Sequence, residues 1–349
     1  MSDGSKIRGL LWNDAEARPR AVWRVGLGIV VLLAGGVGGV LAATTVADRL
    51  PDGSSAMLTS LVLVGAQLAQ VGGFVVAILV AAWVVDRRRL TDLGLGRSRA
   101  WWADLSFGLG LGVALPALVF GLELAAGFLR VSGTFVTRAG GSLGIAPDLP
   151  VALALALTFA YFVGVGVFEE LLFRGYLLTN IAEGLDGWRG IGTPTALGVA
   201  GVLSSVAFGL GHGLNPNVTP LAVVNIVLYG GLFAASYLLT ERIAVAIGLH
   251  VTWNFSIASV FGFPVSGFTT PVTAIAVEQS GPPLLTGGSF GPEGGLVALL
   301  TLVVGTGALV GWVSHRERSV TWRPAVARPV LRDDGARSDA GSDSTTGER

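Results

Sequence analysis

Two adjacent carboxylates and a guanidinium stand where an apolar chain has little reason to carry charge. Residues 151–168 are uncharged; Glu169 and Glu170 follow, then Leu-Leu-Phe, then Arg174. Ionisable groups inside apolar sequence are expensive in lipid, tend to face a protein interior or a wet cavity, and mark function by default. On a helix, Glu170 and Arg174 are i and i+4, so they share a face and can pair. Glu169 lies about 100° round the axis, with no such partner and a like charge beside it. The spacing separates a braced, ionised carboxylate from one poised to accept a proton, a candidate general base. For this stretch alone, an ion pair at a helix end on the membrane surface is the plainer alternative.

The histidines change that balance. His315 sits beside a cluster of arginines and reads as solvated. His212 ends the run Phe208-x-x-x-His212, and His250 opens His250-x-x-x-Asn254; each pair shares a helical face. Both fall in segments with charge-free centres. A lone buried histidine is more often a satisfied hydrogen-bonder than a catalyst. Two of them, with Glu-Glu-x-x-x-Arg on a third segment, favour a shared site. Gln67, Gln70, Glu123 and Asn225 also lie in apolar runs and are read as hydrogen bonds between helices, without chemistry.

The elements that must position these groups are membrane helices. The chain has 349 residues, is 52% hydrophobic and only 13% charged, against about 25% charge in a soluble domain; its mean hydropathy is +0.68. Zero net charge gives no reason to invoke nucleic acid, and the absence of cysteine excludes thiol nucleophiles, disulfides and thiolate metal sites. Apolar runs near 22–46, 57–85, 104–129, 150–180, 195–212, 219–240, 242–260 and 293–313 are each near or above the ~20 residues a bilayer needs. The expected fold is all-α: a polytopic bundle of about eight spans, an integral multi-pass protein of the cell membrane. Residues 1–21 form a polar N-terminal segment, 22–315 the transmembrane domain with its site within 150–260, and 316–349 a disordered tail. Lys6, Arg8, Arg18, Arg20 and Arg24, then Arg87 to Arg99, Arg189, Arg242 and the run Arg316 to Arg337 alternate with loops that hold only Arg49, Arg130 and Arg138. By the positive-inside rule both termini are cytoplasmic. The Gly/Pro/Thr-rich loop 262–292 is then external, and Gly291-Pro292-Glu293 reads as the start of the last helix.

In that order on three spanning segments, Glu169-Glu170-x-x-x-Arg174, Phe208-x-x-x-His212 and His250-x-x-x-Asn254 resemble the three motifs of the CAAX prenyl protease and bacteriocin-processing (Abi) family of intramembrane glutamic endopeptidases. The resemblance is strong over roughly 150–260 and rests elsewhere on hydrophobicity alone. It implies that Glu169 and His212 position and activate a water, that His250 and Asn254 stabilise a tetrahedral oxyanion, and that Glu170, Arg174 and Phe208 support the site. It also implies a peptide or protein substrate in or at the bilayer, lipidated substrates included, and no metal or other cofactor.

Three other readings compete. Two histidines and a carboxylate can bind zinc, although the His-Glu-x-x-His helix of zinc peptidases is absent and Arg174 would oppose a cation at Glu170. Buried Glu/His chains also serve proton-coupled transporters. A non-catalytic membrane scaffold is the third. One tension remains within the favoured reading. Simple counting puts Glu169 toward the cytoplasmic half and His212 at the outer end of its span. The two can meet only if the span carrying Glu169 extends well past Arg174 or the next span starts later than 195; a long span reaching about residue 182 is expected.

Overall fold

The computed structural model describes residues 8–332 apart from 15, 52, 139, 140 and 142; Lys6 and the tail beyond 332 lie outside the described residues. Each expected span has its helix: α1 (Ala21–Ala47), α2 (Ala56–Val85), α3 (Arg99–Ala125), α4 (Val151–Leu185), α5 (Thr193–Gly211), α6 (Pro220–Thr240), α7 (Ala244–Val260) and α8 (Val297–Glu317). Local chemistry sets their ends. The hydroxyls of Ser55, Ser98 and Thr219 accept from backbone N–H groups three residues on and cap α2, α3 and α6. The third span, expected to run from 104 to 129, stops at Ala125. Gly127 turns at φ +74°, and the N–H groups of Gly127 and Phe128 return to the carbonyls of Leu124 and Glu123, a Schellman stop.

Seven of these helices are long and apolar enough to cross a membrane, where about eight were expected; α7 falls short. Its position explains this. Ala244 through Trp253 are all buried, with α3, α4 and α6 packed round them. A helix wrapped by others need not match the bilayer's thickness. The outer helices show the opposite pattern. On α1, Val30, Leu33, Val37 and Leu41 are exposed side by side, an apolar face of a kind that water does not tolerate on a stable monomer. The protein is an integral, multi-pass membrane protein.

Close contact between α3 and α7 depends on glycine. A Cβ at Gly108 would stand 2.3 Å from the carbonyl oxygen of Val245, and one at Gly248 would stand 2.5 Å from that of Leu105. Backbones that approach this closely leave no room for a methyl group. Gly108→Val is expected to lower stability by about 1–3 kcal/mol or more, seen as a reduced thermal midpoint in detergent. An unchanged midpoint would mean the two helices do not cross at this glycine.

One end of the bundle is a charged network. Arg18, Arg24 and Arg88 are buried with Asp86, Asn180 and the mostly buried Glu183. Glu183 pairs with Arg18, Arg24 and Arg88, and Asn180 bridges Arg24 and Asp86. The described part of the N-terminal segment is therefore packed against α4. The tail differs from expectation in the same way. Instead of being disordered from 316, it folds back as far as residue 332. Val326 and Ala327 are buried, Arg323 binds Glu317, and Arg328 donates to Asp186 at 2.7 Å. That bond holds the Asp186 carboxyl below its usual range. The small stability it adds is present above the unfolded carboxyl value and is lost only as acid approaches the lower folded one. Arg242 joins the same end by binding Asp104 of α3 and Glu317 of α8, each at 2.5 Å.

The opposite end carries structure that composition did not reveal. Strands β1 (Leu129–Thr137) and β2 (Val272–Gln279) pair antiparallel, Leu129 opposite Gln279, and add a two-stranded sheet to the helical bundle. The loop after α7 folds back onto the bundle and buries Phe263, Val265 and Phe290. Pro292–Gly294 is a single 3-10 turn, and α8 begins at Val297, not at 293. Extended backbone at Gly295 interrupts the two.

Candidate active site

Helix α4 settles the question of depth. It runs 35 residues, roughly 50 Å at 1.5 Å per residue, well beyond a ~30 Å hydrocarbon core. Glu169 is sixteen residues from its charged-network end at Leu185, about 24 Å. His212 closes α5, which starts at Thr193 on that same side and has 19 residues, about 28 Å. The two therefore sit at nearly one level. Directly after Glu170 the helix widens into a π-helical stretch, Leu171–Leu178, a local form common at functional sites.

A cavity of ≈ 560 Å³ lies between α2, α4, α5, α6 and α7, and Glu169, His212, His250, Asn254 and Phe208 all line it. Glu170 and Arg174 are fully buried just behind its wall. Arg174 Nη1 donates to Glu170 Oε1 at 3.0 Å, and Nη2 donates to the Gly230 carbonyl of α6 at 3.0 Å. The guanidinium also lies over the rings of Phe208 and Phe233, 4.5 and 5.0 Å from their centroids, so its faces are covered as well as its edge. This is the pairing expected from i, i+4 spacing.

The structure adds a partner that spacing alone did not supply. His250 Nδ1 lies 2.9 Å from the same Oε1 of Glu170. A carboxylate held by arginine can only accept, so Nδ1 carries the proton. The imidazole stacks on Phe233 at 5.3 Å and 9°, and its Nε2 is 3.7 Å from Glu169 Oε2. His250 thus stands between the two carboxylates, bonded to one and facing the other. Glu169 Oε2 is itself buried without a hydrogen-bond partner, which fits the unpaired carboxylate read from the sequence.

His212 is fixed at its other nitrogen. Its Nδ1 lies 2.8 Å from the carbonyl oxygen of Phe208, one turn back. A carbonyl cannot donate, so this Nδ1 is the N–H and the neutral ring presents Nε2 as an acceptor. The Phe208-x-x-x-His212 spacing therefore selects a tautomer as well as a face. Asn254 is half-buried at the cavity wall.

Sequence reading missed Glu293. This buried carboxylate also lines the cavity. It accepts from the Trp253 indole at 2.9 Å and from the Ser266 N–H and hydroxyl at 2.6 and 2.8 Å. Asn225 donates to the carbonyls of Glu293 and Gly295, so the glue expected of Asn225 joins α6 to the folded-back loop. A lone acid in a glycine-rich stretch is the signal the sequence offers, and Gly291-Pro292-Glu293 resembles a helix start instead. Glu293→Leu would leave the Trp253 and Ser266 donors unpaired, at about 1–3 kcal/mol. It is expected to make the 262–296 loop markedly more sensitive to limited proteolysis, and equal digestion of variant and wild type would refute the clamp.

No curated protein and no solved structure matches the chain. A family model does, over residues 151–256, and it is described as type II CAAX prenyl endopeptidase Rce1-like. That span contains α4 to α6 and most of α7, with all three motifs from Glu169 to Asn254. Residues 151–256 are thus similar to the type II CAAX prenyl endopeptidase Rce1-like family, a family of CAAX-type intramembrane endopeptidases.

Proposed function

We propose that this cavity hydrolyses a peptide bond with a water activated by Glu169. The observation that carries the reading is the contrast between neighbours. Glu170 is occupied by Arg174 and His250, whereas Glu169 keeps a buried oxygen with no partner at the wall of the same cavity.

Each side chain has a role that its hydrogen bonds permit. Glu169 takes a proton from the attacking water, and the Nε2 acceptor of His212 orients that water through its other hydrogen. The new C–O bond converts the scissile carbonyl to a tetrahedral oxyanion. Asn254 donates to it from the side-chain amide. His250 donates from Nε2 only when its ring carries a second proton, because the Nδ1 proton is committed to Glu170. Donors placed in advance in a water-poor site stabilise such charge strongly. Collapse breaks the C–N bond, and Glu169 returns its proton to the leaving amine. Arg174, Glu170, Phe208 and Phe233 hold the histidines at their angles and touch no reacting atom.

The substrate is a peptide or protein segment that reaches the bilayer; whether it carries a lipid is decided by the test. Native membranes holding wild type or Glu169→Gln are compared for accumulated peptides and proteins. Species that accumulate only with the variant are substrates, and their mass shows any prenyl group. Identical peptide populations would remove the proteolytic assignment. The same preparations should keep activity under strong chelators, and loss of activity restored by one added metal would favour a metallopeptidase.

A further inference from the structure

The cavity has a side. It is lined by loop residues as well as helices, and these are Leu143, Asn215, Val265 to Ser266, Phe268 to Thr270 and Glu293. All belong to the loops after α3, α5 and α7. Among the described residues, none comes from the loops joining α2 to α3, α4 to α5 or α6 to α7. The exposed lining residues are Gly211, Phe268 and Thr269, at the end of α5 and in the folded-back loop, so they rim the mouth. In the other direction the path is filled. Glu170 and Arg174 form a fully buried floor, and Tyr176, Leu178 and Tyr237 are buried beyond it.

The two ends of the bundle differ in arginine. The closed end gathers Arg18, Arg24, Arg88, Arg242, Arg323 and Arg328 in one set of ion pairs and hydrogen bonds. The open end carries Arg49, Arg130 and Arg138 in its loops. Arginine and lysine in short loops mark the cytoplasmic side.

From the placement of the mouth and the arginines together, we infer that the catalytic cavity opens on the non-cytoplasmic face of the membrane. Its substrates are peptide segments presented there: exported chains, or the outer ends of membrane proteins. The substrate class rests on the proteolytic reading above, while the side of the mouth does not. Segments enter past Gly211, Phe268 and Thr269, and Glu293 fixes the loop that forms the roof. Proteins that remain in the cytoplasm do not reach Glu169 without crossing the charged end.

The chain has no cysteine, so single cysteines report sidedness directly. Thr269→Cys marks the mouth, and Thr91→Cys marks the loop between α2 and α3, where Thr91 is exposed. Intact cells are treated with a membrane-impermeant maleimide and then lysed and treated with a permeant one. Thr269→Cys is expected to be labelled before lysis and Thr91→Cys only after it. The reverse pattern, or labelling of both before lysis, overturns the inference. In a second arm, right-side-out and sealed inverted vesicles receive an impermeant quenched-fluorescent peptide library. Cleavage by right-side-out vesicles that Glu169→Gln abolishes supports the inference, and cleavage by inverted vesicles alone overturns it. Labelling as expected with cleavage in neither preparation counts against the peptidase reading and leaves the side of the mouth standing.

Discussion

Glu169→Gln is expected to lower turnover by about 10²–10⁴-fold, the usual contribution of a placed general base, while the helices and the thermal midpoint stay as in wild type. The substitution keeps shape and removes only the ability to take the water's proton. Stability should survive because Glu169 accepts no hydrogen bond through its buried Oε2 and has only a 3.7 Å approach to His250. Glu170→Gln should behave differently. It weakens the acceptor shared by Arg174 and His250, so activity and stability fall together. The measurement is single-turnover cleavage of a trapped substrate alongside thermal unfolding in one detergent. Wild-type cleavage by Glu169→Gln would remove Glu169 from the mechanism and leave the adjacent carboxylates as structural groups only.

Arg174→Ala is expected to be the most destabilising single change at the site, by about 3–5 kcal/mol, because it strands a buried carboxylate without its counter-charge. Arg174 is fully buried, and it ties α4 to α6 through the Gly230 carbonyl and to α5 through the face of Phe208. Lysine should not rescue it, since an ammonium offers neither the planar face nor the fixed fork of donors. Removing both charges, in Glu170→Leu with Arg174→Met, should recover much of the stability, because a buried pair is weak as a stabiliser but harmful when broken. It should not recover activity, because His250 then loses the acceptor that orients it. Thermal midpoints of the single and double variants in one detergent decide this. If the double variant is as unstable as Arg174→Ala, the loss lies in packing rather than in the unpaired charge.

These expectations separate two kinds of buried charge in this protein. Glu170 and Arg174 lie in a buried wall whose partners come from α4, α5, α6 and α7. Arg18, Arg24, Arg88, Asp86 and Glu183 lie at the arginine-rich end, where they clamp the segment before α1 and the turn after α2 onto α4. The second set is remote from the cavity. Changes there should alter folding and leave the chemistry of a folded molecule intact.

The sequence alone determined what depends on neighbours along the chain. The helices followed from apolar length, the Glu170–Arg174 pair from i, i+4 geometry, and the shared face of Phe208 and His212 from the same spacing. The match of residues 151–256 to the Rce1-like family model agrees with the resemblance carried by three short motifs in order. Only the tertiary structure decided how far each helix slides and turns against the others. That set Glu169 and His212 at one depth, placed His250 between two carboxylates, and made α7 a central helix. It also brought Glu293 from a loop some forty positions past Trp253 onto that indole, and folded the tail against Asp186. The physical reason is common to all of them. An apolar helix carries the free energy of its own insertion in its composition, but the partners of its few polar groups come from other segments. Those partners are fixed only when the whole bundle packs.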